Sequence, residues 1–119
     1  MSGMTQQPMR LQGAITCRHG DQVRIGTGIY VGAGCTILDD GPVEIGDDVI
    51  CGPGVRIVAE AGRGVTIEPR AWIGENAELR PGVRVGAGAM VCAGSVVERD
   101  VPADALVEGR PAAVTWRLR

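Results

Sequence analysis

Residues able to move a proton are few in this 119-residue chain, and those that share a neighbourhood are carboxylates. Asp39 and Asp40 stand in one short polar segment, and Glu60 stands in a second, followed closely by Arg63. A carboxyl group lifted toward neutrality by burial or by a neighbouring charge can act as a general base, which makes Asp39, Asp40 and Glu60 the candidate catalytic residues. The alternative reading is that they are solvated loop residues or turn caps. Arg63 either pairs with Glu60 or meets an anionic group of a substrate. The only histidine, His19, falls in an aliphatic position of the repeat described next and reads as a structural residue near the end of the array. Cys17, Cys35, Cys51 and Cys92 lack zinc-site spacing and read as reduced thiols, Cys51 in the core and Cys92 pointing outward. With one histidine the chain cannot build a three-His zinc centre, so no metal site is expected.

What could hold such groups together is a repeat of six. Aliphatic residues recur at Ile25, Val31, Ile37 and Ile45, and again at Ile67, Ile73, Leu79, Val85, Val91 and Val97. Four residues after each comes a small or β-branched residue, as at Ile29, Cys35, Val49, Val55, Ala71, Ala77, Val83, Ala89 and Ser95. Neither a helical period nor plain strand alternation favours every sixth residue, so the pattern predicts short strands joined by tight turns. The register slips twice, by two residues between Ile37 and Ile45 and by four between Ile57 and Ile67. If three hexads make a coil, both slips fall at one corner, and the loops Leu38 to Glu44 and Val58 to Thr66 stack there. In that register Cys17 stacks on Cys35, and His19 sits below Ile37.

Composition narrows the classes. Two Trp, one Tyr and no Phe cannot fill an ordinary core, while 19 Gly and 7 Pro point to a turn-dense chain. Twelve basic against fourteen acidic residues, without runs, leave no footprint for nucleic acid or an anionic membrane. No stretch reaches the roughly 20 apolar residues of a membrane span, and Met1 to Arg10 lacks the apolar region of a signal peptide, so a cytoplasmic protein is expected. The predicted organisation is all-β: short strands wound into coils of three hexads over residues 13–103, with an N-terminal segment at 1–12 covering the first coil and a cap or tail at 104–119. Trp116 is expected to make the capping contact. The flat outer faces, which carry Val, Ala and Met90, favour self-association over exposure to water.

The hexads resemble those of the left-handed parallel β-helix of the hexapeptide-repeat acyltransferases, from about Cys17 to the end. The closest likeness is to the maltose, galactoside and nodulation-factor O-acetyltransferase branch. It is carried by Ile37-Leu-Asp39, by Val43-Glu-Ile-Gly-Asp-Asp-Val-Ile-Cys-Gly-Pro-Gly-Val-Arg-Ile57 and by Ala71-Trp-Ile-Gly74. Further along it rests on Leu79-Arg-Pro-Gly-Val83, Ala93-Gly-Ser-Val-Val97, Asp100-Val-Pro102 and Gly109-Arg-Pro-Ala112. The resemblance implies about four to five triangular coils and a homotrimer in which acetyl-CoA lies along a groove between coils. It places the cofactor-side residues at Trp72, at Gly86, Ala87 and Gly88, at Ala93, Gly94 and Ser95, and at Arg99 and Arg110, the two cations serving its phosphates.

The resemblance also locates a departure. The family's general base, a His in the inserted loop, aligns with Gly62, and its supporting Asn aligns with Gly32. A positioned base is worth about 10²–10⁴ in rate, so the ordinary mechanism does not transfer intact. The first hypothesis is transfer of an acyl group from acetyl-CoA or another acyl-CoA to a small-molecule hydroxyl or amine, with loop carboxylates as replacement bases. For Asp39 the resemblance also allows acceptor binding. The second is a non-catalytic binding or scaffold trimer. The third is an isomerase or dehydratase on the same fold.

Overall fold

The computed structural model describes residues 15–117; the expected N-terminal segment at 1–12, and the covering of the first coil assigned to it, lie outside the described residues. The chain winds as a triangular prism, one short strand to a side. The first coil contains β1 (Ile15–Cys17), β2 (Val23–Ile25) and β3 (Tyr30–Val31), and the second β4 (Cys35–Asp39), β5 (Val43–Ile45) and β6 (Ile50–Cys51). The third contains β7 (Arg56–Ala59), β8 (Val65–Ile67) and β9 (Trp72–Ile73), and the fourth β10 (Glu78–Leu79), β11 (Arg84–Val85) and β12 (Met90–Val91). The last contains β13 (Val96–Val97), a bridge from Val101 to Val85, and β14 (Ala105–Gly109), from which β15 (Ala112–Arg117) turns back.

Through β13 every third strand pairs in parallel with its predecessor, giving a first face (β1-β4-β7-β10-β13), a second face (β2-β5-β8-β11) and a third face (β3-β6-β9-β12), which β14 extends in parallel and β15 antiparallel. The strands form because their side chains alternate between a narrow aliphatic interior and solvent. Val43, Ile73, Leu79 and Val85 are fully buried, and each such residue contributes roughly 1.5–3 kcal/mol. Cys51 lies in this core and Cys92 is half-buried, as their hexad positions predict. At the corners the chain needs left-handed backbone, supplied by glycines and by Asp48, Asn76 and Asp104, types that tolerate a positive φ.

The two expected insertions do fall on one corner, between the first and second faces. A third lies beneath them. Cys17 pairs with Ile37 and Ile15 with Cys35, so the first coil, like the second, holds two extra residues. This corrects two expectations. Cys17 does not stack on Cys35, and His19 is not in the aliphatic column but on the corner loop, half-exposed. Strand pairing selects this register because it turns Ile15 and Cys17 toward the core.

The end of the prism also differs from expectation. In place of a separate cap, β14 continues the third face in parallel with β12, and β15 folds over antiparallel. Trp116, opposite Leu106, is 58% exposed and makes no plug. Nor are the outer surfaces alike. The second face presents Arg24, Glu44, Thr66 and Arg84, with Arg24 opposite Glu44. Tyr30, Ile50, Trp72 and Met90 instead form a single apolar column up the third face.

Candidate functional site

Three loops stack on the edge between the first and second faces: 18–22, 40–42 and 60–64. Their contact is close, for a Cβ on Gly41 would meet the carbonyl oxygen of Glu60 at 1.9 Å. Asp39 ends β4 on an inward position and is wholly buried. Its carboxylate accepts the His19 N–H at 2.9 Å and the Gly20 N–H at 2.6 Å, clamping the loop of the coil below. Burial pushes the Asp39 carboxyl up, but backbone N–H bonds, led by those of His19 and Gly20, outweigh it and hold the group below its ordinary range. The expectation of a base lifted toward neutrality is therefore corrected at Asp39, which is an ionised structural clamp.

Its neighbour Asp40 points outward. One carboxylate oxygen lies 3.0 Å from His19 Nε2, and the other accepts from Arg18 Nη1 at 3.1 Å. In the loop above, Glu60 and Arg63 exchange backbone hydrogen bonds of 3.1 and 2.9 Å around an exposed turn in which Gly62 has φ +75°. Arg63 lies 3.7 Å from the Glu60 carboxylate and donates to the Pro81 carbonyl at 3.1 Å. Asp40 and Glu60 thus share the edge, as the spacing predicts. The pairing of His19 with Asp40 was missed, although one signal was present: Cys17 to Ile25 spans the same eight residues as Ile37 to Ile45.

The expected cofactor-side residues divide between several places. An open groove of about 410 Å³ runs along the third face and its edge with the first, lined by Gly52, Pro53, Trp72, Glu75, Met90 and Ala93. Gly94 adjoins it, and the Gly94 carbonyl accepts from Arg110 Nε at 2.9 Å, which anchors the guanidinium beside the groove. Gly86, Ala87 and Gly88 form the opposite edge of the same face. Their backbone is occupied there: Ala87 N–H donates to Glu68 at 3.1 Å, and Gly86 leaves room for the Ala103 backbone. Ser95 is buried, and its hydroxyl accepts the Gly109 N–H at 3.2 Å. Its side chain ties the tail to the coil and is turned away from the groove. Arg99 lines a separate cavity of about 420 Å³ between the last coil and β15. Arg99 thus borders the cavity at the tail, whereas Arg110 is held by the Gly94 carbonyl beside the groove.

The thiols are poorly suited to nucleophilic chemistry. Burial, with help from the Asp39 charge, pushes Cys17 up to about 11. Burial, then the neighbouring Cys35, pushes Cys51 up to about 12. Cys92, beside the groove, is raised by burial and then by Glu108. The glycines at the aligned catalytic positions differ in kind. Gly62 has open space around it, whereas a Cβ on Gly32 would lie 2.5 Å from the Pro53 nitrogen, so the backbone excludes a side chain there.

A parallel triangular solenoid with loops confined to one edge and a groove at another defines a class, and comparison with known proteins identifies it. The family model for bacterial transferase hexapeptide repeats (six repeats) matches residues 64–99. The chain belongs to the hexapeptide-repeat acetyltransferase family, and its solenoid is the left-handed parallel β-helix of that family. A hexapeptide-repeat-containing acetyltransferase from Vibrio cholerae has a TM-score of 0.83 at 31% identity, covering 88% of this chain and 68% of that one. The same protein complexed with acetyl coenzyme A gives a TM-score of 0.84 at 32% identity, covering 88% of this chain and 65% of that one. Galactoside O-acetyltransferase of Lactococcus lactis is 33% identical over 83% of this chain and 55% of its own length. Nodulation protein L of Rhizobium meliloti is 41% identical over 82% of this chain and 61% of its own. The chain thus spans a little over half the length of the curated relatives it matches.

Proposed function

We propose that the chain is a CoA-dependent acetyltransferase acting on a small-molecule hydroxyl or amine, working as a homotrimer in the cytoplasm. The observation that carries this reading is the groove beside Trp72. The exposed indole and Met90 suit an extended thiol arm, the small Gly52 and Ala93 let that arm approach the backbone, and the anchored Arg110 offers a cation for phosphate. That donor set fits acetyl-CoA, which supplies the activated acyl group. The acetyl-CoA complex of the Vibrio cholerae relative supports the same reading. Trp72, Met90 and Ala93 bind and orient, Arg110 neutralises charge, and Asp40 and Glu60 supply polar groups at the decorated edge.

Exposed Tyr30 and Ile50, the part of the apolar column outside the groove, support self-association, since burying them in a closed assembly removes them from water. Free thiols at all four cysteines fit a reducing compartment. No helix among the described residues is long and apolar enough to cross a membrane.

Calorimetry with CoA and acetyl-CoA, followed by a thiol-release assay with a panel of sugars and amines, tests the reading. Saturable binding and acceptor-dependent release are expected, and Trp72→Ala should weaken binding. No binding at millimolar ligand would discard it. Glycine at both aligned catalytic positions favours the second reading, a non-catalytic trimer, which would bind CoA without releasing thiol from acetyl-CoA.

A further inference from the structure

Resting on that function, we infer that His19, oriented by Asp40, is the general base of this protein and serves an acyl group held in the groove of a neighbouring copy. His19 is the sole imidazole in the chain. Asp40 Oδ1, 3.0 Å from Nε2, can only accept, so in the neutral ring the proton sits on Nε2 and Nδ1 is the nitrogen that takes another. Arg18 holds the second oxygen of Asp40, and the buried Asp39 fixes the backbone of His19 and Gly20. An ordinary surface ion pair needs no such clamp. Here three groups hold one ring in place on a half-exposed edge.

The topology settles where the ring can act. Within one chain the first face separates the His19 edge from the groove edge, so the two meet only between copies. The aligned positions divide the same way, Gly62 on the His19 edge and Gly32 on the groove edge. Successive coils rise by about 4.8 Å, and the turn at 32–34 falls between loops 18–22 and 40–42 along the prism. In a cyclic assembly whose axis follows the prism, His19 and Asp40 therefore face the level of Gly32 on the next copy, one coil below Gly52 and Pro53 where the groove begins, so the ring meets the acyl end of an arm that runs down the groove and one coil past its lower margin. The step balances as follows. The acceptor oxygen or nitrogen forms its bond to the acetyl carbonyl carbon as Nδ1 takes its proton. The C–S bond then breaks, and the departing thiolate recovers that proton from the imidazolium, giving CoA thiol and neutral His19.

Untagged protein gives a single imidazole Cε1–H resonance, so His19 can be followed directly by NMR. Saturating acetyl-CoA should shift it; binding by calorimetry without a shift overturns the inference. His19→Gln should bind acetyl-CoA as the wild type does but lose about 10²–10⁴-fold in kcat. Turnover within twofold of wild type overturns the inference and leaves the proposed function standing, whereas a wild type that binds no acetyl-CoA overturns both. Asp40→Asn, removing the positioning carboxylate, should lower kcat with KM unchanged. Co-assembly of His19→Gln with the groove-blocked Ala93→Trp should recover turnover that neither variant has alone, and no recovery refutes the placement across copies.

Discussion

Asp39→Ala separates the structural role of this carboxylate from a chemical one. The side chain has no exposure, and both oxygens are engaged, by the N–H groups of His19 at 2.9 Å and Gly20 at 2.6 Å. Alanine leaves both donors without their partner, the Gly20 N–H in a buried place and the His19 N–H in a partly buried one. Each unpaired donor costs about 1–3 kcal/mol, so the sum is about 2–6 kcal/mol. In a solenoid each coil is coupled chiefly to its neighbours, so the loss falls on the pairing of the first coil against the second. At about 1.4 kcal/mol per tenfold, amide hydrogen exchange through β1, β2 and β3 should accelerate about 30-fold or more, with little change beyond β7. Asp39→Asn keeps one acceptor and should show about half the free-energy loss. If Asp39→Ala abolishes acyl transfer while exchange in the first coil stays within threefold, the carboxylate is a reacting group and the clamp argument is wrong.

The same clamp sets a pH dependence. The folded pKa of Asp39 lies below its unfolded value of about 3.9, so its stabilisation is complete above that value and is lost as pH falls through the lower folded value. The gap between the urea midpoints of wild type and Asp39→Asn should therefore narrow as pH falls below about 3.9, and a constant gap would contradict the assignment. Gly86→Ala should destabilise by about 1–3 kcal/mol, because its Cβ would lie 2.4 Å from the Ala103 nitrogen and backbone cannot swing aside; an unchanged unfolding midpoint refutes that packing. Cys51, pushed up to about 12 and buried, should resist iodoacetamide at pH 8 until the protein unfolds, and prompt labelling in mass spectra would show that this core opens.

The solenoid is legible in the sequence because a prism this narrow admits only aliphatic or small residues at its inward positions, and they recur through the middle of the chain. Slips are legible only where unambiguous hexads stand on both sides, as at Ile37–Ile45 and Ile57–Ile67. Ahead of Ile25 the pattern has few members, and His19 fits an outward loop as well as an inward column, so the first insertion was hidden and the imidazole was misplaced with it. For Asp39 the strand itself held the answer. Inward Ile37 makes Asp39, two residues on, inward as well. Ser95 teaches the same lesson, since it shares the hexad position of buried Ala77 and Ala89. A base was expected at Asp39 and the resemblance placed Ser95 beside a cofactor, while position in the repeat shows that each side chain serves the coil.

The stacked edge explains how a β-helix can dispense with a long catalytic loop. Strands here pair from coil to coil, so residues added or removed at a corner leave the ladder intact, and an insertion can shrink without disturbing the core. A long loop can carry a base out to a partner copy, whereas a turn as short as Glu60 to Arg63, closed by reciprocal backbone bonds, cannot. On the proposed function, the chemistry comes from the edge itself. Gly41 packs so tightly beneath the Glu60 carbonyl that loops 40–42 and 60–64 form one continuous surface, and Asp39 binds loop 18–22 to its lower margin. Small, rigid insertions on successive coils can thus assemble a fixed pair of polar side chains. What one long loop gains by reach, three short ones gain by register, provided that a second copy brings the groove to them.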